Sequence, residues 1–369
     1  MSVAAFGWRM PVDVRFGAGC SEQIADDLGD REALVLAFEP AEALGLRERW
    51  RMALGNRLLD WVTVPEGLSS IALARRLAGR VWPQLAAAPG CVLVGLGGGS
   101  TLDIAKLLRC RPATGAGGFD AIAAALRGHA PWPALTLARL WLVPTTAGTG
   151  SEVTRWATLW DTEAEPAVKR SFDEPWGWAD RAFVDPLLTL SCPHAVTRDC
   201  ALDTLAHALE ALWNRHANPV SDRLAVQAAR RVVETLPGLL DKPRDEALRE
   251  QMSLAALEAG FAFSQTRTAL AHALSYDVTL QRGVPHGLAC ALWLPTAWRL
   301  AIGRSARADA ALAEVFEAPA EQGADRLSNW LRSLGIDATP AAYGIADAEA
   351  RVEAALASPR GRNFIGAAA

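Results

Sequence analysis

"VGLGGGSTLDIAK", residues 94–106, holds the end of a strand, a turn and the start of a helix. An apolar run reaches Leu96, and Gly97, Gly98 and Gly99 follow, then Ser100 and a helical segment carrying Asp103 and Lys106. A buried strand that runs through glycines into a helix is a connection of a parallel α/β sheet. Glycines let the backbone approach an anion closely, and the helix N-terminus behind them offers free N–H groups and positive potential. The turn is therefore a candidate phosphate cradle. It is not G-x-G-x-x-G, and it comes too late in the chain for a first Rossmann turn. A plain tight strand–helix connection would read the same way.

Working outward, strands alternate with helices through the first half. "EALVLAF" (32–38) and "LLDWVTVP" (58–65) read as strands, and "SSIALARRLAGRVWPQLA" (69–86) has helical periodicity. "GCVLVGLGGGS" (90–100) and "RLWLVPTT" (139–146) are further strands, and "DRAFVDPLLTL" (180–190) closes the half. Such alternation predicts a parallel sheet covered on both faces. Beyond about residue 190 only helical patterns remain, including one long helix over "EALREQMSLAALEAGFAFSQTRTALAHALSYDV". The expected organisation is an α/β nucleotide-binding domain over 1–190 and an all-helical domain over 191–369.

A second loop, "VPTTAGTGSEVT" (143–154), ends a strand with hydroxyls and glycines. Two such loops after parallel strands place donors at the same carboxyl edge, where nucleotides bind. Thr145, Thr146 and Thr149 join Gly97–Ser100 as candidate cofactor contacts. A Ser/Thr turn that caps a helix is the plainer alternative.

The helical half poses a different question. "DTLAHALEAL" (203–212) is mostly Ala and Leu, yet Asp203 and His207 lie four residues apart, on one helical face. His272 sits in equally apolar surroundings, and His286 follows fourteen residues later in "GVPHG". A lone histidine of this kind is usually a satisfied core residue. A carboxylate with three imidazoles is costly to bury unless together they neutralise something. One Asp and three His suit Fe²⁺ or Zn²⁺ with a position left for substrate. His129, His194 and His216 read as loop or solvated residues.

The bulk composition is that of an ordinary globular protein: 369 residues, 51% hydrophobic, 21% charged, net charge −4. No basic tract suggests nucleic acid or an anionic membrane surface. No apolar run reaches membrane-spanning length, and the N-terminal stretch does not read as a signal peptide. The six cysteines are scattered, without a CxxC pair. A disulfide framework is not expected, and a reducing cytoplasm is.

These segments together resemble the iron-dependent (group III) alcohol dehydrogenases. The family pattern runs GGGS with DxAK, then PTTAGTGSEVT, DAxxHAxE, and a histidine fourteen residues before PHG. Here it stands as Gly97–Ser100 with Asp103 and Lys106, Pro144–Thr154, Asp203–Glu210, and His272 to Gly287. The resemblance begins near "VRFGAGCSEQIADDL" and extends to about residue 300. It implies a Rossmann-like nucleotide domain followed by a helical metal domain, a dehydroquinate synthase-like arrangement. By position it makes Asp203, His207, His272 and His286 the ligands of Fe²⁺ or Zn²⁺. It places NAD or NADP over Gly97, Gly98, Gly99 and Ser100, with Asp103, Thr145, Thr146, Thr149 and Lys169 as further contacts. Glu39, just after the first strand, is the candidate partner of the adenosine ribose. "EVTRWATLWD", "LEALWNRHANPVSDRLA" and "AFSQTRTALAHALSYDVTLQRGVPHGLACALWLP" resemble the phosphonoacetaldehyde reductase branch more narrowly.

This chain departs from the family at three places. With Phe38 and then Glu39, it lacks the aspartate that ends the first strand in many NAD-using members. Tyr276 stands where many members carry a further histidine, and Cys200-Ala201 replaces a Thr-Gly pair. The implied function is NAD(P)H-linked reduction of a small aldehyde, with phosphonoacetaldehyde first among substrates. A buried Arg267 is the expected cation for its phosphonate; Tyr276 is the one side-chain candidate for a general acid, with a packed aromatic near the metal helix as the plainer reading. Arg155 and Arg170 are the fallback cations. A generic short-chain alcohol dehydrogenase, a maleylacetate reductase and a sugar-phosphate cyclase-type lyase are rival enzymes. A nucleotide-binding regulatory protein on a retired fold is the rival of another class. Homodimers or larger homo-oligomers are expected, with no nucleic-acid or membrane partner.

Overall fold

The computed structural model describes residues 5–368. The chain divides into two compact units. Residues Pro11–Thr146 and Ser151–Ser191 form the first; residues 5–10, Ala147–Gly150 and the chain from Cys192 onward belong to the second.

In the first unit the strands are β1 (Asp13–Phe16), β2 (Ala33–Phe38), β3 (Leu58–Val64), β4 (Val92–Gly97), β5 (Cys110–Pro112), β6 (Leu135–Leu137), β7 (Arg139–Pro144), β8 (Trp156–Asp161), β9 (Val168–Asp173) and β10 (Arg181–Val184). Its helices are α1 (Ile24–Leu28), α2 (Leu46–Leu54), α3 (Ile71–Ala87), α4 (Gly99–Leu108) and α5 (Gly118–Leu126). Six strands make one parallel sheet in the order β1-β10-β7-β4-β2-β3. The central β2 and β4 are apolar and buried nearly throughout, as strands covered on both faces must be. Each fully buried Val or Leu there contributes roughly 1.5–3 kcal/mol. Cys20, Ile24, Leu28, Trp50 and Trp61 pack with strand residues Val35, Val94, Trp141 and Phe183 in one core.

The expected strands and the helix over 69–86 are present. Sequence reading missed β1 as a strand and the antiparallel pairs β5–β6 and β8–β9. These are short or polar segments without a clean apolar run. The chain passes from β3 across to β4, on the far side of β2, so the order reverses between β2 and β4. Their carboxyl ends, Phe38 and Gly97, flank the crevice where parallel α/β sheets take ligands.

The second unit contains α6 (His194–Leu212), α7 (Pro219–Asp241), α8 (Glu246–Thr266), α9 (Leu270–Arg282), α10 (His286–Ala291), α11 (Leu294–Ala301), α12 (Ala306–Val315), α13 (Gly323–Ser333) and α14 (Ala348–Ala357). α6 is buried almost all round from Ala201 to Leu212, which is why its sequence lacks a polar face.

The single long helix expected over "EALREQ…SYDV" is two helices. Arg267, the C-cap of α8, has φ 72° and ψ 171°, a positive-φ, non-helical conformation that ends the helix. The freed backbone is repaired by side chains. Asn214 donates to the Arg267 carbonyl and Asn363 to that of Thr268. Glu210 caps the next helix, accepting from the N–H groups of Ala269, Ala271 and His272. The break is thus written by residues distant in sequence, which periodicity does not see.

Candidate metal centre and glycine turn

α6 carries Asp203 and His207 on one buried face, α9 carries His272 in its first turn, and α10 begins at His286. The ring nitrogens converge on one atom. Asp203 Oδ1 lies 3.4 Å from His272 Nε2, 3.8 Å from His207 Nε2 and 3.9 Å from His286 Nε2. Asp203 Oδ1 and His272 Nε2 are both buried without a hydrogen-bond partner. Orphaned polar atoms of this kind are expensive, and atoms of opposite character at this spacing would ordinarily close into a hydrogen bond. Ligands of an ion with bonds near 2.1 Å stand about 3.4 Å apart in tetrahedral geometry, so the arrangement fits a metal site.

The next shell supports this. His272 Nδ1 bonds Glu210 Oε2 at 2.6 Å, and Glu210 is fully buried. A carboxylate behind one ring nitrogen fixes the tautomer and aims the other outward, as in carboxylate–histidine–metal triads. Burial pushes the Asp203 carboxyl up, but the facing imidazoles of His207, His286 and His272 outweigh it and hold it below the usual range. Burial pushes His207 down to about 4, so its ring is neutral and able to ligate near pH 7. Burial also opposes charge on His272, yet Cys290 and Glu210 raise it well above its ordinary value. Cation binding displaces that proton. His286 is the outermost of the group, its side chain 36% exposed, which leaves one approach from outside.

Sequence reading gave Glu210 no role, although it lies on the turn of α6 after His207. Its spacing from Asp203 was the available signal. Cys290 was passed over as one of six scattered cysteines. His129, His194 and His216 are exposed, His194 as the first residue of α6 and the other two outside helices and strands.

Tyr276 stacks on His286, ring centroids 6.4 Å apart and planes 11° from parallel. Arg267 is exposed at the positive-φ end of α8, so the buried cation expected there is not what this position offers. The backbone reversal carries its side chain outward. Arg360, which sequence reading did not consider, is half-buried instead, with its guanidinium 5.3 Å from the Tyr276 ring centroid. Its Nη1 donates to Thr268 Oγ1 at 2.6 Å. Arg155 pairs with Asp173 and Arg170 with Asp161.

On the first unit, Gly97 ends β4 and Gly98 is the N-cap of α4. The Gly97 carbonyl accepts from Thr145 N–H at 3.0 Å, tying the two loops side by side. A Cβ on Gly97 would meet Thr101 at 2.7 Å and Phe38 at 3.0 Å. A Cβ on Gly98 would meet only Thr146, at 3.4 Å. Ser100 is exposed on the first turn of α4, and Glu39 is exposed after β2, where it accepts from Glu66 N–H. Lys169 on β9 lies 6.0 Å from the Trp160 ring centroid. Asp103 uses both carboxylate oxygens internally, accepting from Ser151 Oγ and Thr158 N–H at 2.8 Å each. Thr149 falls in the short segment Ala147–Gly150 that belongs to the helical unit. There Gly148 lies against α6: a Cβ on it would stand 2.8 Å from Cys200 Cβ.

Beneath the second loop, Lys106 is fully buried and donates to the Trp156 carbonyl at 2.6 Å. Glu152 is buried nearby, and burial raises its carboxyl from 4.5 to about 7. Between these values the folded chain holds a proton that the unfolded chain has released. Stability therefore falls as pH rises through that window, by about 3 kcal/mol in all. Glu152→Gln should remove this slope and gain on the natural chain above pH 7. Denaturant titrations of both from pH 4.5 to 7.5 check it, and parallel pH dependences would contradict it.

A parallel α/β unit with an anion-ready turn, joined to a helical unit with a carboxylate–imidazole cluster, defines the class. The chain belongs to the iron-containing alcohol dehydrogenase family. Residues 11–186 match the model for iron-containing alcohol dehydrogenase, and residues 197–364 that for the family's C-terminal part. It is 32% identical to the probable alcohol dehydrogenase EutG of Escherichia coli (strain K12), over 70% of this chain and 67% of that one. It is 33% identical to the phosphonoacetaldehyde reductase of Streptomyces viridochromogenes, over 64% of this chain and 57% of that one. The chain spans about half to two-thirds of the length of the curated relatives it first matches. Its fold matches that of sulfoacetaldehyde reductase from Bifidobacterium kashiwanohense, solved with NAD+, with a TM-score of 0.85 at 24% identity, over 98% of this chain and 94% of that one. No described helix is long and apolar enough to cross a membrane.

Proposed function

We propose that this chain is a metal-dependent, nicotinamide-linked reductase of a small aldehyde, with Asp203, His207, His272 and His286 holding a divalent ion. The observation that carries this reading is the orphaned Asp203 Oδ1 facing three imidazole nitrogens, with Glu210 behind His272. An ion held there supplies Lewis-acid stabilisation of charge developing on a carbonyl oxygen, and the dinucleotide supplies hydride. The residues of the chain do the rest. Gly97, Gly98 and the α4 N-terminus accept the anionic pyrophosphate, with Thr145 and Thr146 beside them. Glu39, at the carboxyl end of β2, suits a ribose hydroxyl and repels a 2′-phosphate, so NADH is favoured over NADPH. Tyr276 stacks on His286 and packs the substrate side of the cluster. The product alkoxide takes its proton from water.

Phosphonoacetaldehyde is the favoured substrate, on the likeness to the Streptomyces enzyme and on the cation beside Tyr276. A phosphonate dianion needs a guanidinium able to bind it in a bidentate, charge-assisted way. Arg360 is better placed for this than Arg267 because it is half-buried against Tyr276. The test is the ratio of kcat/KM for phosphonoacetaldehyde to that for butanal, with NADH and NADPH. The natural chain should show a high ratio. Arg360→Ala should cut it by roughly 30-fold or more, equivalent to about 2 kcal/mol or more, whereas Arg267→Ala should leave it nearly unchanged. A natural ratio near one would leave a generic short-chain alcohol dehydrogenase.

A further inference from the structure

Cys290 has no role in the reading above, yet its sulfur lies inside the cluster. α10 places it four residues after His286, on the same helical face, with Sγ 3.9 Å from His286 Nε2. Cys290 is fully buried. Asp203, His272, His286 and Cys290 each bring a donor atom within 4.8 Å of all the others. Two of those donors, Asp203 Oδ1 and His272 Nε2, are unpartnered atoms of side chains only 6% and 3% exposed. A buried cysteine is ordinarily small apolar filler, inert because nothing around it favours the thiolate. This one faces a carboxylate and imidazoles already arranged for a cation.

We propose that Cys290 Sγ is a ligand of the divalent ion at this centre, a soft donor beside the carboxylate and imidazoles. The inference rests on the metal-centre reading and adds a claim about selectivity. Thiolate ligands favour Zn²⁺ and Co²⁺ over harder ions such as Mn²⁺, whereas an Asp–His₃ set without sulfur discriminates less. Ligation forms the sulfur–metal bond and releases the thiol proton to the buffer.

The test is reconstitution of the full-length apoprotein with Co²⁺, followed by absorption spectroscopy. The natural chain should show visible d–d bands together with a near-ultraviolet thiolate-to-cobalt charge-transfer band. Cys290→Ser should keep the d–d bands and lose the charge-transfer band. Its Zn²⁺ affinity should fall more than about tenfold and its Mn²⁺ affinity less than about threefold. Cys200→Ser, which alters a cysteine three residues before Asp203 in α6, should keep the charge-transfer band. d–d bands without a charge-transfer band in the natural chain would overturn the proposal while leaving the metal centre intact, and this readout needs no variant to fold. Failure of the natural chain to bind Co²⁺ at all would overturn the proposal and the metal reading together.

Discussion

His272→Ala is expected to lose the bound divalent ion, with metal affinity down by more than about 100-fold, while the helical unit stays folded. The direction follows from what each ring nitrogen does. Nε2 is the unpartnered atom aimed at Asp203, and Nδ1 is held by Glu210. Removing the ring leaves Asp203 facing fewer donors and takes away a ligand already fixed by its partner, so affinity falls by more than the 10–100-fold typical of a lost outer-shell contact. The fold survives because Glu210 keeps three backbone donors, Ala269, Ala271 and residue 272, and so still caps α9. His286→Ala should lose metal too, with a smaller effect on stability, since its side chain is partly exposed. Glu210→Ala reverses the balance. It strips the cap from a buried helix start and leaves several N–H groups unpaired, at roughly 1–3 kcal/mol each, so unfolding should precede metal loss. Metal content per chain, read with a thermal melt, separates the three variants. Full metal occupancy in both His272→Ala and His286→Ala would refute the ligand assignment.

The sheet and the cluster differ in how far they could be read from sequence. The apolar runs of β2 and β4 and the glycines after β4 each report on their own neighbourhood, so periodicity and turn chemistry found them. Asp203 and His207 were legible because one helix turn relates them. His272 and His286 stood out as imidazoles in apolar sequence, but their convergence on Asp203 depends on how three helices pack. The α8–α9 break was invisible for the same reason. Nothing in "FSQTRTALAH" ends a helix; Asn214, Asn363 and Glu210 do so from elsewhere in the chain. Cys290 and Arg360 carry no local signal and take their place from tertiary contacts alone.

Gly98→Val is expected to weaken dinucleotide binding strongly while leaving fold and metal content as they are, and Gly97→Ala is expected to damage the fold itself. Both glycines sit in the same turn, but their surroundings differ. A Cβ on Gly97 would stand 2.7 Å from Thr101 and 3.0 Å from Phe38, and its φ of 158° is one that L side chains rarely adopt, so crowding against α4 and β2 adds to backbone strain. Overpacking of this kind costs about 1–3 kcal/mol of stability. Gly98 has φ −76°, which any residue adopts, and a Cβ there meets nothing closer than the Thr146 side chain, at 3.4 Å. The branches of a valine then fill the space between the glycine turn and the Thr146 loop, at the N-terminus of α4, where the pyrophosphate is proposed to lie. Displacing the phosphates from those N–H groups should cost on the order of 2–3 kcal/mol, about 30- to 150-fold in the dissociation constant for NADH. Metal content should not move, because Asp203, His207, His272 and His286 all belong to the helical unit and the turn belongs to the other. Fluorescence titration with NADH, run beside a thermal melt and metal analysis, reads all three quantities. An unaltered NADH dissociation constant in a folded, metal-replete Gly98→Val protein would remove the dinucleotide from this turn. A folded Gly97→Ala protein of natural stability would show that α4 can shift away from β4 at little cost.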